Sequence, residues 1–110
     1  MPGSAVLDEL LRRRLVDKND IARVTGTKPR SVSRWTASGS VPRRDDEDRL
    51  LELKSVLDLL RQVLRDEPGR LWLRTPNPSL DWRKPLDLVA EGEYRKVVAS
   101  LLALAEGVTA

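Results

Sequence analysis

The segment from Asp45 to Arg65 constrains the fold of this chain more than any other. Four acids, Asp45 to Asp48, open it, where the positive end of a helix favours negative charge. Apolar residues then recur at helical spacing and, at 100° per residue, cover about half of a helix circumference. They are Leu50, Leu53, Val56, Leu57, Leu59, Leu60, Val63 and Leu64. This pattern predicts a long helix that contacts the preceding helices with one edge and the following helices, or a second copy, with the other.

Shorter helices are predicted on both sides of the long one, because strand-like alternation is scarce and Gly and Pro punctuate the chain. Asp17, with Asp20 three residues later, predicts a capped helix that Gly26 ends. We expect Thr27 to cap a third helix and Pro68-Gly69 to end the long one. Other helices are expected near residues 5–15, 70–74, 85–91 and 93–106. The fold class is all-α, divided into residues 1–44, 45–67 and 68–110.

Composition excludes several kinds of active site. The chain has no His and no Cys, which removes imidazole bases, thiol nucleophiles, zinc fingers and disulfides. Its carboxylates follow helical charge patterns, and none forms a pair with an obvious acid and base division. No apolar run approaches the roughly 20 residues that span a bilayer. We therefore expect a cytoplasmic binding protein, with no enzyme activity, cofactor, metal or membrane contact.

Positive charge is concentrated in the first part of the chain. Residues 1–44 carry ten Lys and Arg against four acids, whereas residues 45–110 carry ten against thirteen. The N-terminal part is therefore predicted to face a polyanion. The Arg12-Arg13-Arg14 cluster fits two interpretations equally well: part of this polyanion-facing surface, or a helix face that is only solvated.

Residues 18–37 have the pattern of a helix-turn-helix. Ala22 is small where two helices would cross, Gly26 suits the turn, and Val32 and Trp35 share an inner face. The opposite face of the third helix, with flanking cations and hydroxyls, is the candidate DNA-binding surface: Thr27, Lys28, Arg30, Ser33, Arg34, Ala37, Arg43 and Arg44. Arg can bind guanine with two hydrogen bonds, whereas the flanking groups would hold phosphates. The alternative is a helical packing unit whose arginines are only solvated.

The C-terminal part holds large apolar side chains beside cations, the residue types enriched at binding hot spots. Its candidate binding residues are Trp72, Asn77, Pro78, Trp82, Arg83, Lys84 and Tyr94. Trp72 fits a core position as well as an interface, and Asn77 fits a simple interhelix corner as well as a docking loop. Trp82, between two charged neighbours, is expected to be exposed.

The spacing of landmarks in this region resembles the C-terminal domain of the MbcA/ParS/Xre antitoxin family. The landmarks are Trp72, Asn77-Pro78, Leu80, Pro85-Leu86-Asp87, Gly92-Glu93 and Glu106-Gly107-Val108, and the resemblance extends upstream through SVSRWTASGSVPRR at residues 31–44. One departure is Asp81-Trp82-Arg83-Lys84, where many members carry a glycine-containing turn.

The resemblance implies an antitoxin of a type II toxin-antitoxin system. It implies that the C-terminal module binds a RES-domain toxin that degrades NAD, and that Gly107, Val108, Thr109 and Ala110 obstruct the toxin's pocket. Without the resemblance those four residues would be read as a frayed tail. The helix-turn-helix would repress the operon through operator DNA, in a homodimer or a larger toxin-antitoxin hetero-oligomer.

Two other functions stay open at this point. One is a stand-alone helix-turn-helix transcription regulator whose C-terminal helices only dimerise. The other is a toxin-neutralising adaptor that has lost DNA binding, against which Arg30 and Arg34 argue.

Overall fold

The computed structural model describes residues 2–37 and 40–107, which form seven α-helices and one short 3₁₀ turn. The helices are α1 (Pro2–Arg12), α2 (Lys18–Thr25), α3 (Pro29–Ala37), α4 (Arg44–Val63), α5 (Asp66–Arg74), α6 (Pro85–Ala90) and α7 (Tyr94–Ala105), and the 3₁₀ turn is Pro78–Leu80. The only strand-like pairing among these residues is an isolated bridge between Asn77 and Arg83. The predicted all-α fold is confirmed. Among the described helices, none combines the length and the apolar character that crossing a membrane requires.

The ends of α2 form as the sequence predicts. The Asp17 side chain accepts a hydrogen bond from the Asp20 backbone N–H, and the Asp20 side chain accepts one from Asp17, both at 2.9 Å. Gly26 follows the helix with φ of 71°, a conformation that costs glycine little. This reciprocal capping box and left-handed stop fix the angle at which the chain enters α3.

Four predicted boundaries are wrong, one of them the start of α5, which lies at Asp66 instead of near residue 70. α1 ends at Arg12 instead of Leu15, and α3 begins at Pro29, so Lys28 and not Thr27 precedes its first residue. Pro68 and Gly69 do not end α4, which stops at Val63, but lie inside α5. Proline is tolerated there because first-turn N–H groups have no partner within the helix.

α4 forms the centre of the fold and contacts helices from both ends of the chain. It packs on α1 and α2 with one part of its surface and on α5, α6 and α7 with another. Leu50, Leu53, Val56, Leu57 and Leu60 are buried in a single apolar cluster that also includes buried residues of the other six helices. The predicted two-sided packing of the long helix within the chain is confirmed.

Ion pairs and direct packing join the N-terminal helices to the C-terminal ones. α2 packs on α6, where Arg23 and Asp87 approach to 2.7 Å. Arg74 of α5 pairs with Asp20 and donates to the Leu15 carbonyl at 3.3 Å. The three-part division of the chain stays a prediction, and these contacts show that its first and third parts share one core.

A charge cluster joins α1 to α4 and predicts a pH dependence. Asp58 accepts a hydrogen bond from Lys54 at 2.8 Å and lies 2.5 Å from an Arg13 nitrogen. Burial raises the pKa of Asp58, but its hydrogen bonds to Lys54 and Arg13 and their charges outweigh burial, so the pKa lies below its ordinary value. A carboxyl group with a lowered pKa stabilises the fold above its unfolded pKa and loses that contribution as the pH falls through the folded one.

Replacing Asp58 with Asn should therefore destabilise the chain near neutral pH, with a difference from wild type that shrinks below about pH 4. Urea unfolding of both proteins at pH 7 and at pH 3 measures this difference. A difference of equal size at both pH values would contradict the assignment.

Candidate functional site

The outer face of α3 is exposed, and its inner face is buried. Val32 and Trp35 lie in the core, whereas Arg30, Arg34 and Ala37 are exposed. The Arg34 guanidinium donates to the Ser31 hydroxyl at 3.4 Å, one of the contacts that position it along the helix. This face offers two long cationic side chains and a methyl group on one rigid element, a combination that can contact base edges in the major groove.

Lys18 joins this surface and was not among the predicted site residues. It is the first residue of α2, and its ammonium group donates to the half-buried Ser33 hydroxyl of α3 at 3.4 Å. In a helix-turn-helix the first of the two helices crosses the nucleic-acid backbone. Its position after the cap residue Asp17 is visible in the sequence, but its contact with Ser33, 15 residues away, is not.

The predicted flanking residues lie around the end of α3 and the start of α4. Thr27, Arg34 and Arg43 line one open cleft, together with Asp45 and Asp46 at the beginning of α4. Lys28 and Arg44 are exposed. The two carboxylates oppose phosphate binding inside the cleft, which leaves the exposed cations at its margins as the groups best placed to hold a phosphate backbone.

Asn77 organises the loop between α5 and α6 from a buried position. It is 5 % exposed, and its side-chain oxygen accepts from the Ser79 backbone N–H at 2.9 Å and from the Ser79 hydroxyl at 2.8 Å. Because the Ser79 proton is donated to Asn77, the Ser100 hydroxyl of α7 donates to Ser79 at 2.8 Å. Asn77 therefore stabilises the loop and tethers it to α7, and offers little surface of its own to a partner.

A tight turn within this loop carries the most exposed aromatic side chain of the described residues. Asp81 and Trp82 have φ of 55° and 63°, and the Arg83 N–H donates to the Leu80 carbonyl at 3.0 Å. These are the features of a type I′ turn, in which both central residues take the left-handed conformation. Trp82 is 70 % exposed, as the sequence predicts. An indole in this conformation is uncommon and strained.

Some of the other predicted residues of this region are exposed, whereas others are half-buried or pair with a residue of the same chain. Pro78, Lys84 and Gly107 are exposed, and Tyr94 is half-buried. The exposed Arg83 pairs with Glu91, and their hydrogen bond raises the pKa of Arg83 above its ordinary value. Trp72 is half-buried against the core, and its indole N–H has no hydrogen-bond partner among the described residues. Val108, Thr109 and Ala110 lie outside the described residues.

In the described part of the chain, no group of three or more His, Cys, Asp or Glu side chains is arranged to hold a metal ion. The two surfaces described above, the outer face of α3 and the loop from Asn77 to Lys84, are surfaces suited to binding. Each presents exposed cations on a backbone fixed by internal hydrogen bonds.

Comparisons with known proteins find a matching family and similar proteins. Residues 59–107 match the family described as the antitoxin Xre/MbcA/ParS C-terminal toxin-binding domain. The chain is 45 % identical over 89 residues to the mycobacterial cidal antitoxin MbcA of Mycobacterium tuberculosis, an alignment that covers 81 % of this chain and 79 % of the relative. It is 30 % identical over 92 residues to a probable mycobacterial cidal antitoxin of the same organism, with 84 % and 78 % covered.

The fold also matches a solved structure along nearly its whole length. A chain in the crystal structure of the M. tuberculosis MbcT-MbcA toxin-antitoxin complex superposes with a TM-score of 0.84 at 38 % identity, covering 97 % of this chain and 96 % of that one. The family match, the sequence identity and the shared fold together show that this chain belongs to the Xre/MbcA/ParS family of antitoxins.

Proposed function

We propose that this chain is the antitoxin of a type II toxin-antitoxin pair, in which it binds a RES-domain toxin and blocks its consumption of NAD. The observation that carries the proposal is the match to a chain of a toxin-antitoxin complex over 97 % of the sequence. Binding is stoichiometric, because inhibition by coverage of a pocket needs no catalysis by the antitoxin. NAD is the substrate of the partner, and this chain needs no cofactor.

The toxin-binding surface is centred on the loop from Asn77 to Lys84. Trp82 supplies apolar area. The other proposed contact residues lie on the same C-terminal module and are Pro78, Arg83, Lys84 and Tyr94. Aromatic and Arg side chains of this kind dominate binding energies at interfaces. Asn77 and Trp72 support this surface from inside the fold. Asn77 holds the loop through its hydrogen bonds, and Trp72 packs α5 on the core.

The same chain represses its own operon through α3. Arg30 and Arg34 contact bases, with Ser33 and Ala37 beside them, and Thr27, Lys28, Arg43 and Arg44 contact flanking phosphates. Repressors with this motif bind two half-sites about one helical turn apart, which requires two copies. We therefore propose a homodimer or a larger assembly with the toxin as the DNA-binding form.

Inhibition involves the residues that follow α7. Gly107, with φ of 81°, redirects the chain after the helix ends at Ala105. Val108, Thr109 and Ala110 then cover the entrance of the toxin's pocket. Contact at the entrance blocks the substrate, whereas contact through the loop from Asn77 to Lys84 provides affinity.

Co-expression with the neighbouring open reading frame tests the proposal. The pair should co-purify at a fixed ratio, and cellular NAD should fall when the neighbour is expressed alone. Deleting Val108 to Ala110 should leave the complex intact by size but restore measurable NAD loss. A neighbour that neither binds the chain nor lowers NAD would overturn the proposed function, and full inhibition by the shortened chain would overturn only the role of its last residues.

A further inference from the structure

Arginines from three helices gather around one open cleft that the functions above leave unused. The cleft has a volume of about 550 Å³ and is lined by residues of α1, α4, α5 and their connections. Five of its seven lining residues are Arg12, Arg13, Arg14, Arg61 and Arg70, and only Glu9 and Asp66 are acidic. The cleft therefore carries a net positive charge in a chain whose formal charge is only +3.

Two of these arginines are used inside the fold, and three are not. Arg13 pairs with Glu9 and Asp58, and Arg70 pairs with Glu67. Arg70 also donates to the Arg14 carbonyl at 2.7 Å, where Arg14 has φ of 59°. The side chains of Arg12, Arg14 and Arg61 are exposed and form no ion pair or hydrogen bond with any residue that the structure describes.

A second cleft continues the positive surface towards α3. It shares Arg14 and Arg70 with the first and is also lined by Lys18, Arg74 and one acid, Asp17, whose carboxylate caps α2. Lys18 in turn donates to Ser33 on α3 at 3.4 Å. Arg12, Arg14, Arg61 and Lys18 form no ion pair with any residue that the structure describes, and they line two adjoining clefts, the second of which reaches α3 through Lys18.

Unpaired like charges in a row repel one another, and a ligand of opposite charge removes that cost. A small anion can neutralise one or two neighbouring guanidinium groups. A row that crosses several helices instead matches a polymer with charges at regular spacing, and Arg binds phosphate oxygens with two parallel hydrogen bonds. The DNA backbone is such a polymer, and Lys18 of the second cleft contacts the proposed DNA-binding helix.

We propose that Arg12, Arg14, Lys18 and Arg61 form a phosphate-binding track that holds the DNA backbone beyond the base pairs contacted by α3. The track rests on the DNA binding proposed above and extends it to α1 and α4, outside the helix-turn-helix. Its contacts carry no sequence information, because phosphates are alike. It increases affinity and salt dependence without changing which sequence is preferred.

The test compares salt dependences of binding to a duplex taken from upstream of the coding sequence and to a random-sequence duplex. Both are titrated with the full chain, alone and bound to its partner, from low to moderate salt. The triple variant Arg12→Gln, Arg14→Gln, Arg61→Gln should lower the slope of log K against log salt by about 2 to 3, at about 0.9 per phosphate contact. The preference for the upstream duplex should remain.

Two matched variants separate position from charge. Replacing Arg95 and Lys96 with Gln removes positive charge from exposed side chains that line neither cleft, and should change the slope much less for each charge removed. Replacing Arg12, Arg14 and Arg61 with Lys keeps the charge and should keep most of the slope.

An unchanged slope in the variant with Gln at residues 12, 14 and 61 would overturn the track. An equal loss of slope per removed charge in the Arg95 and Lys96 variant would overturn it as well. Failure of the wild-type chain to bind either duplex would overturn the proposed DNA binding together with the track. Normal α3-dependent specificity with an unchanged slope would overturn the track alone.

Discussion

Replacing Trp82 with Asn should weaken toxin binding by about 2 kcal/mol or more, roughly 30-fold, while leaving the free chain at least as stable as wild type. The loss of binding follows from the large apolar area of the indole, which is 70 % exposed in the free chain. The stability follows from the backbone. A left-handed conformation costs a bulky residue about 1 to 2 kcal/mol, whereas Asn adopts it more readily.

The substitution is expected to weaken toxin binding without lowering the stability of the free chain. This combination separates the loss of a direct contact from a disturbed fold. Most surface substitutions change stability little, and most that weaken binding by disturbing the fold also lower the melting temperature. Thermal unfolding of the free chain and the dissociation rate of the complex should be measured on the same preparation. A variant that is less stable and binds normally would contradict both parts of the interpretation.

Leu71 provides a matched control, since it is 69 % exposed but lies in the regular helix α5. Leu71→Asn removes a similar exposed apolar side chain without relieving any backbone strain. It should leave toxin dissociation and the melting temperature close to wild type. If Leu71→Asn weakened toxin binding as much as Trp82→Asn, the effect would come from a general loss of exposed apolar surface and not from a contact of Trp82.

The turn at Trp82 also shows where the sequence was informative and where it was not. The departure from a glycine-containing turn was visible, but not that the backbone keeps a glycine-like conformation. Asp81 and Trp82 both have positive φ, held by hydrogen bonds from Trp82 and Arg83 to Asn77 and Leu80. Local propensity favours a different backbone conformation at Asp81 and Trp82. The observed turn belongs to a hydrogen-bond network that includes the bond between Ser79 and Ser100, 21 residues away, which local propensity does not reveal.

Helices and their inner faces could be predicted well because they depend on local periodicity. The apolar pattern of α4, the capping box of Asp17 and the left-handed Gly26 are each set by residues within one or two turns. The ends that failed depend on tertiary packing. Gly69 is buried in α5, where a Cβ would be in ordinary van der Waals contact with the Leu60 side chain of α4 at 3.4 Å, and its sequence neighbours do not reveal this packing.

The sequence marked Arg12-Arg13-Arg14 as either a polyanion-facing or a solvated surface, but it did not group that cluster with Lys18 or Arg61 in one site. Sequence showed positive charge in residues 1–44, but not that Arg61 from α4 and Arg70 from α5 would join Arg14 of the first part in one cleft. The packing of α2 on α6 and the pair of Arg23 with Asp87 likewise join parts that appear separable in the sequence. Charge clusters formed by tertiary contact require the fold before they can be recognised.

The double variant Arg30→Ala, Arg34→Ala should lose specific DNA binding while it retains toxin binding. Each Arg that makes a bidentate contact with guanine contributes about 1 to 3 kcal/mol of discrimination, so the pair should cost about 2 to 6 kcal/mol on the preferred sequence. Both side chains are exposed and α3 is anchored by the buried Val32 and Trp35, so the fold should persist. Helical content and complex formation with the toxin serve as the controls for folding.

The variant Lys28→Ala, Arg44→Ala removes the same charge from residues assigned to phosphates and should behave differently. It should weaken binding to preferred and random duplexes to a similar extent and lower the salt slope by about 2, at about 0.9 per contact. The ratio of the affinities for the preferred and random duplexes therefore distinguishes the two double variants. This ratio should be largely lost in the Arg30 and Arg34 variant and should stay near its wild-type value in the Lys28 and Arg44 variant. If the α3 variant kept its full preference for the upstream duplex, α3 would not be the recognition helix, and the chain would be a toxin-binding protein whose positive N-terminal surface only attracts DNA.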